Sequence, residues 1–540
     1  MPENPVTLTI DGKSVTVPEG TTVLQACEQV GSPVPFYCYH PGLSIAGNCR
    51  ICLVEIEKTP KLQIACYTGV AEGMVVQTTS DKALDGRKAV LEFLLANHPM
   101  DCPVCDQAGE CWLQDYYMAY GLYDQKFDEQ KVKKSKKATP IGPKVMLDME
   151  RCILCSRCVR FCDEVTKTGE LGIFNRGDHA ELDVFPGKQL DNNYAGNVVD
   201  ICPVGALTDR DFRFKCRVWY LGSTTSVCPG CSMGCNIEIH DNRERAQRPH
   251  IAGGKRVMRL KPRYNPDVNR WWMCDAGRYG YPFIDDNRLT SVQVRSADEG
   301  QPATWDHALE RIAQTLQRLA QANQLDRVGV ILSTHLTNED LYLAKRLFQT
   351  LGVRHVTVQG PARPGDQDNW LIKADKSPNT RGAQALGLSF ASPALIERAA
   401  RKELAVLYVF GHDVLEVYGQ PAASEAASNV ELLVFQGSNR NATVGLAHVV
   451  LPSAVYAEKD GTFTNCQGRV QRIRPAFAPL GEARTDTQIL LALAARLGVP
   501  LDLADSQAIF QDLAAREAPF KGLSYEAIGD QGALLKNGVG

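Results

Sequence analysis

No apolar run in these 540 residues approaches the roughly 20 needed to cross a bilayer. Any membrane association is therefore expected to come through partners. The opening Met1-Pro2-Glu3-Asn4-Pro5 lacks the basic and apolar stretches of an export signal, so a reducing compartment is expected. Neither sign of charge dominates, with 59 Lys and Arg against 62 Asp and Glu. A net of -3 gives no reason to expect nucleic acid or an anionic lipid surface as a partner. No Gly-x-Gly-x-x-Gly follows a strand-like run, and no nucleophile sits beside a base, so dinucleotide chemistry is expected on other chains. Between Cys274 and Cys466 there is no cysteine at all.

Cysteine elsewhere is plentiful. Of 19, 18 precede residue 275, and they fall at short ligand-like intervals instead of the scatter of a disulfide framework. Thiolates grouped in this way bind soft metals and iron–sulfur clusters. The length suggests three or four domains. The fold class expected is multidomain, α+β in the first half and α/β in the second.

Residues 1–80 read as a small α+β unit. Strands at 6–10 and 14–17 flank an Asp11-Gly12 turn, and a helix at 22–30 is capped by Thr21 or Thr22. Cys38, Cys49, Cys52 and Cys66 follow, and four thiolates with a Cys-x2-Cys pair in a glycine-bearing loop suit a 2Fe–2S cluster. A structural zinc ion is the alternative. Cys27 reads as a core thiol. Residues 81–145 begin with an amphipathic helix, capped by Asp81 and carrying Leu84, Lys88, Leu91, Leu94 and Leu95, that delivers His98. Cys102, Cys105 and Cys111 come next. Three cysteines are one short for a 4Fe–4S cluster, and His98 supplies the fourth ligand. An aromatic helix with Trp112, Tyr116, Tyr117 and Tyr120 is expected to pack over that site. The basic run Lys131 to Lys137 reads as a solvated linker, with a docking patch for an acidic partner as the alternative.

Residues 146–214 hold Cys152, Cys155, Cys158 and Cys162, then Cys202-Pro203. In two-cluster bacterial ferredoxins the fourth cysteine of each motif ligates the other cluster. The three companions of Cys202 would stand at 192, 195 and 198, which are Asn192, Ala195 and Val198. One 4Fe–4S cluster is therefore expected here, on Cys152, Cys155, Cys158 and Cys202, with Cys162 an orphan. Residues 215–290 hold Cys228, Cys231, Cys235 and Cys274 around strands at 235–240 and 256–260, a third 4Fe–4S set or a zinc site. Cys216 fits no set. In 300–500 short apolar strands (328–332, 404–410, 432–435) alternate with helices, one capped by Thr304, as in a parallel α/β sheet. Residues 501–540 form a C-terminal tail.

The long Cys38–Cys49 interval and the His98-x3-Cys102-x2-Cys105-x5-Cys111 pattern resemble complex I, the respiratory NADH-quinone oxidoreductase, and iron-only hydrogenases. The Cys228 set and the segment from Glu458 to Gln471 resemble molybdopterin oxidoreductases. Taken together the chain resembles the large peripheral-arm iron–sulfur subunits of bacterial complex I. That resemblance implies a β-grasp 2Fe–2S domain, one 2Fe–2S and three 4Fe–4S clusters, and a degenerate α/β domain with no molybdenum cofactor. Asp375 is the nearest thing to a molybdenum ligand, and it lacks a glycine-rich cofactor loop. It also implies electron relay from a flavin-bearing NADH-binding subunit to downstream iron–sulfur subunits and quinone, with no substrate site of the chain's own. Residence would be peripheral, on the cytoplasmic face of the bacterial inner membrane. The rivals are an electron-transfer subunit of a soluble NAD-linked formate dehydrogenase or hydrogenase, and a zinc-stabilised scaffold.

Overall fold

A computed structural model describes residues 4–121, 127–243, 251–296 and 299–536. Met1 to Glu3, on which the expectation about export partly rests, lie outside the described residues. The chain divides into two compact units, Met1–Leu221 and Gly222–Gly540.

In the first unit, Pro5–Ile10 and Lys13–Pro18 pair antiparallel through a two-residue turn. Asp11 and Gly12 both take positive φ (48° and 79°), the twist a tight hairpin needs. Pro5–Ile10 also pairs in parallel with Val75–Gln77, which continues to Leu53–Ile56 and Gln63–Ile64 in a five-stranded sheet. The helix Val23–Gln29 lays Val23, Leu24, Ala26 and Cys27 into the core, and Thr22 caps it in a reciprocal box with Gln25. Burial pushes the Cys27 thiol up to about 12, consistent with a packing role.

The next helix, Asp81–Asn97, is capped by Ser80 and not by Asp81: the Ser80 hydroxyl accepts from Ala83 N at 3.3 Å. Asp81 instead sits in the first turn, where its charge suits the helix dipole. The buried face is Ala83, Arg87 and Leu91, narrower than the leucine stripe implies. Arg87 occupies the remainder, donating to Leu53 O at 3.1 Å under the ring of Tyr120. His98 closes this helix, and Trp112–Tyr120 follows as the aromatic helix. Its rings pack on Phe36 and Tyr37, with centroids 5.3 and 5.2 Å apart for Phe36–Trp112 and Tyr37–Tyr116.

The lysine run is not a solvated linker. Lys131 Nζ donates to the carbonyls of Leu95 and Ala96 at 2.6 and 3.0 Å, satisfying the C-terminal end of the preceding helix. Lys134 bonds Asp178 O and Ala180 O, Lys136 pairs with Asp183, and Lys137 with Glu150. The amines of Lys131, Lys134, Lys136 and Lys137 are thus engaged within the unit, which leaves little for a docking patch.

The second unit opens with the three-stranded sheet Leu221–Val227, Asn236–Asn242 and Val257–Pro262. Its main sheet has seven strands. Val449–Pro452, Leu432–Gly437, Val406–Phe410, Val328–Ser333 and His355–Gln359 run parallel in that order. The first four are buried along their whole length, because helices cover both faces. An antiparallel hairpin, Gln293–Ser296 with Glu299–Pro302, extends the edge, so the sheet is mixed, with a parallel core. The helices Trp305–Gln321, capped by Thr304, and Asn338–Leu351, boxed by Thr337 and Asp340, pack on one face.

Two buried ion networks meet at adjacent residues. Glu458 accepts from Arg256 at 2.5 Å and Arg288 at 2.7 Å, and Lys459 lies between Asp340 (2.8 Å) and Asp486 (2.6 Å). Each charge of the Glu458-Lys459 pair, which opens the segment with the molybdopterin-oxidoreductase pattern, is thus buried against two opposite charges from distant parts of the chain.

Candidate metal centres

The loop from Cys38 to Cys66 brings its four thiols together. Cys38 N donates to Cys49 Sγ at 3.4 Å. Hydrogen bonds from Cys49 and Cys66 hold the Cys38 thiol well below the usual range, and the same bonds push Cys49 and Cys66 up; Cys66 in turn touches Cys52. Between Cys49 and Cys52, Arg50 takes φ 61°, a left-handed conformation costly for a side chain. Such a residue persists only where its surroundings hold it.

At the second set, Arg217 donates to Cys105 O at 2.5 Å and to Pro103 O at 2.6 Å, fixing the loop that carries Cys102 and Cys105. Arg151 grips Asp101 with two nitrogens, at 3.2 and 2.7 Å. Asp101 and Arg151 act on both His98 and Cys105, and Cys105 and Cys102 act on Cys111, so the four residues share one neighbourhood. Burial lowers His98 to about 4, leaving at neutral pH the uncharged imidazole whose lone pair can bind a metal. Gly205 approaches this loop so closely that a Cβ there would lie 2.3 Å from Cys105 Sγ.

The third set lines one narrow, apolar-walled cavity: Cys152, Cys155, Cys158 and Cys202, among Ile173 and Leu182. Leu154 and Ser156 take φ 52° and 60°, and Leu154 N donates to Cys152 Sγ at 3.4 Å. Cys162 does not line that cavity. Its thiol faces Glu170, and burial together with that carboxylate pushes it up. Glu170 also accepts from Asn192 Nδ2 at 2.9 Å, and Ala195 and Val198 are fully buried. The positions where companions of Cys202 would stand are packed with side chains.

In the second unit, Cys228 N donates to Cys235 O at 2.8 Å, and Cys274 Sγ accepts from Gly277 N at 3.3 Å. A Cβ at Gly277 would lie 3.0 Å from Cys228 Sγ and 3.5 Å from Cys274 Sγ, so the loops touch through glycine. Cys228, Cys231, Cys235 and Cys274 act electrostatically on one another. Cys216, in the first unit, is buried, and Cys466 is the one exposed cysteine. Asp375 accepts from Ser232 N and Ser377 N, which spends its carbonyl and one carboxylate oxygen on local structure.

Burial raises Cys152, Cys155, Cys158, Cys202, Cys228, Cys235 and Cys274. A thiolate there needs a cation to offset its desolvation, which is what bound iron supplies. The donor sets therefore fit clusters. Among the described residues, no three His, Cys, Asp or Glu side chains converge as they would on a single ion.

Two features had no sequence signal. Cys38, Cys155, Leu113 and Val204 belong to one apolar core, with Cys49, Cys111, Cys152 and Cys202 packed against it. Three of the four sets thus place cysteines in or against a single apolar core. In the second unit a cavity of about 690 Å³ opens at the carboxyl ends of the parallel strands, bounded by Ser333, His335, Gln359, His412, Gln436 and the Cys228 loop.

Sequence families match in series along the chain. They are a 2Fe-2S iron-sulfur cluster binding domain (residues 3–81), an NADH-ubiquinone oxidoreductase-G iron-sulfur binding region (87–126) and a ferredoxin-like domain of NADH-quinone oxidoreductase subunit 3 (142–208). A molybdopterin oxidoreductase Fe4S4 domain (222–286) and molybdopterin oxidoreductase (278–368 and 376–496) complete the series. The chain is 32% identical to the mitochondrial NADH-ubiquinone oxidoreductase 78 kDa subunit of Neurospora crassa, over 93% of this chain and 82% of that protein. It is 30% identical to a subunit of the NADH-quinone oxidoreductase of Rickettsia felis, over 93% of this chain and 89% of that one. Among solved structures, a chain of an NAD+-reducing [NiFe]-hydrogenase is 31% identical, covering 39% of this chain and 91% of that one at a TM-score of 0.36.

Proposed function

The chain belongs to the NADH-quinone oxidoreductase-G family, the large iron–sulfur subunits of complex I, and from that premise we propose how its parts work. It is an electron-transfer subunit of an oxidoreductase complex, with 2Fe–2S and 4Fe–4S binding domains and other complex I subunits as partners. Among the described residues no helix is long and apolar enough to cross a membrane.

The ligand sets proposed are Cys38, Cys49, Cys52 and Cys66 for one 2Fe–2S cluster, and three sets for 4Fe–4S clusters: His98 with Cys102, Cys105 and Cys111; Cys152, Cys155, Cys158 and Cys202; and Cys228, Cys231, Cys235 and Cys274. The corresponding domains are 1–80, 81–145, 146–214 and 215–290, followed by an α/β domain at 300–500 and a tail at 501–540. The α/β domain takes no molybdenum cofactor on this reading. The donor is the flavin-bearing NADH-binding subunit, the acceptors are downstream iron–sulfur subunits and finally quinone, and the site of action is the cytoplasmic face of the inner membrane.

The observation that carries this reading is the shared apolar core of the first three sets. Clusters take up and release single electrons, and their potentials depend on burial, on hydrogen bonds to sulfur and on nearby charge. Tyr37, Leu91, Leu113 and Val204 are buried in the core that the sets share, and burial of this kind lowers the local dielectric. Leu154 N and Gly277 N donate to ligand sulfurs, and Arg217 and Arg151 hold the His98 loop. In the intact complex, NADH should reduce cluster EPR signals that assign to this chain. Formate- or hydrogen-dependent dye reduction by the purified chain would overturn the assignment in favour of a dehydrogenase or hydrogenase subunit.

A further inference from the structure

Arg157 is 2% exposed, and among the described residues no carboxylate pairs with it. It donates to Ile201 O at 3.0 Å and to Tyr39 O, and its Nε has no hydrogen-bond partner. The guanidinium stacks on Trp112, 4.5 Å from the ring, and lies 5.8 Å from the ring of Phe36. A buried cation without an anion is costly, and two carbonyls with two aromatic faces offset only part of that cost. Its electrostatic couplings run to the sulfurs of Cys155, Cys202 and Cys38, which carry negative charge once they bind iron as thiolates. The two carbonyls it holds belong to the residues next to Cys38 and Cys202. One turn away, Arg160 donates to Cys38 O at 2.5 Å and Cys155 O at 3.3 Å, but it is more exposed, so solvent screens its charge more than that of Arg157.

We propose that Arg157 is the shared counter-cation of two sites, the one on Cys38, Cys49, Cys52 and Cys66 and the one on Cys152, Cys155, Cys158 and Cys202, and that it raises the reduction potential of both. This rests on the ligand sets proposed above. Reduction adds negative charge to each site, and a fixed buried cation beside both stabilises the reduced forms. It acts through the sulfurs and backbone, so it is a positioning and charge-compensating residue and takes part in no bond change. Its planar fork explains why arginine stands here: one group reaches two loops and an aromatic face together.

The test is EPR-monitored potentiometric titration of the intact complex carrying Arg157→Gln, with the exposed Arg210→Gln as control. Both signals should titrate lower, by about a tenfold change in each reduction equilibrium, ~59 mV for one electron, and the control should leave both in place. Assembled signals at unchanged potentials would overturn the proposal. If the Gln variant fails to assemble, Arg157→Lys decides. Assembly with potentials near wild type is expected because the charge is kept. Loss of the clusters with Lys as well would make the fork purely structural and overturn the charge assignment. Absence of either signal in the wild type would instead refute the ligand sets.

Discussion

Replacing Gly205 by alanine tests the contact between the second and third sets. The added Cβ would lie 2.3 Å from Cys105 Sγ, 3.2 Å from Gln107 Cβ and 3.5 Å from Arg151 Cδ. Non-bonded heavy atoms settle at about 3.5–4.0 Å, so Cys105 Sγ must yield by more than about 1 Å. It has little room to do so. Arg217 pins Cys105 O and Pro103 O, and Arg151 is held by Asp101. Overpacking of this kind costs about 1–3 kcal/mol, which a unit of this size tolerates. A ligand displaced by twice the roughly 0.5 Å that a site allows does not keep its metal. The expected result is a folded chain that has lost about four iron atoms and the EPR signal of the His98 set, with the 2Fe–2S signal intact. Gly69→Ala is the control, since nothing lies within 4 Å of a Cβ there. Full iron content and an unchanged spectrum in Gly205→Ala would refute the geometry at Cys105.

Cys202→Ser should abolish one 4Fe–4S signal, whereas Cys162→Ser should leave every signal in place, because Cys162 faces Glu170 outside the cavity of the third set; a signal lost with Cys162→Ser would reverse that assignment. His98→Cys should leave its cluster assembled at a lower potential, because a thiolate adds the negative charge that imidazole lacks; an unchanged titration would remove His98 from the ligands. Glu339 is fully buried, and burial holds its carboxyl up to about 7 against an ordinary 4.5, despite hydrogen bonds from Thr462 and Tyr525. A raised acid is protonated in the fold and ionised in the unfolded chain between those values. Its contribution is full below 4.5 and is lost as pH rises through about 7, some 3 kcal/mol in all. The apparent unfolding temperature of Glu339→Gln should therefore fall less steeply than wild type over that window, and parallel curves would mean Glu339 is ionised throughout.

The convergence of the third set was legible because such motifs are local: Cys152, Cys155 and Cys158 lie within seven residues, and position counting separates Cys162, which does not line their cavity, from Cys202, which does. The Thr304 cap of helix Trp305–Gln321 was legible for the same reason. What escaped was non-local. The amines of Lys131, Lys134 and Lys136 find partners 35 to 47 residues away, so a charge run read by composition looks solvated when it is engaged. Arg157 is one residue between two cysteines of a motif, and nothing in the spacing shows that it is buried or that Tyr39 meets it. The sequence pointed to Asp81 where Ser80 is the cap, because both are good caps and the choice depends on backbone geometry. The cavity beside the Cys228 loop arises from five strand ends far apart in sequence, with no glycine-rich motif to announce it.

Quantifying iron, acid-labile sulfide, zinc and molybdenum in the purified chain, with EPR of the reduced sample, tests the central claim most directly. Four filled sites predict about fourteen iron and fourteen sulfide per chain, no stoichiometric zinc or molybdenum, and one 2Fe–2S signal beside 4Fe–4S signals. Stoichiometric zinc with no labile sulfide and no reducible signal would make the chain a scaffold and contradict the account.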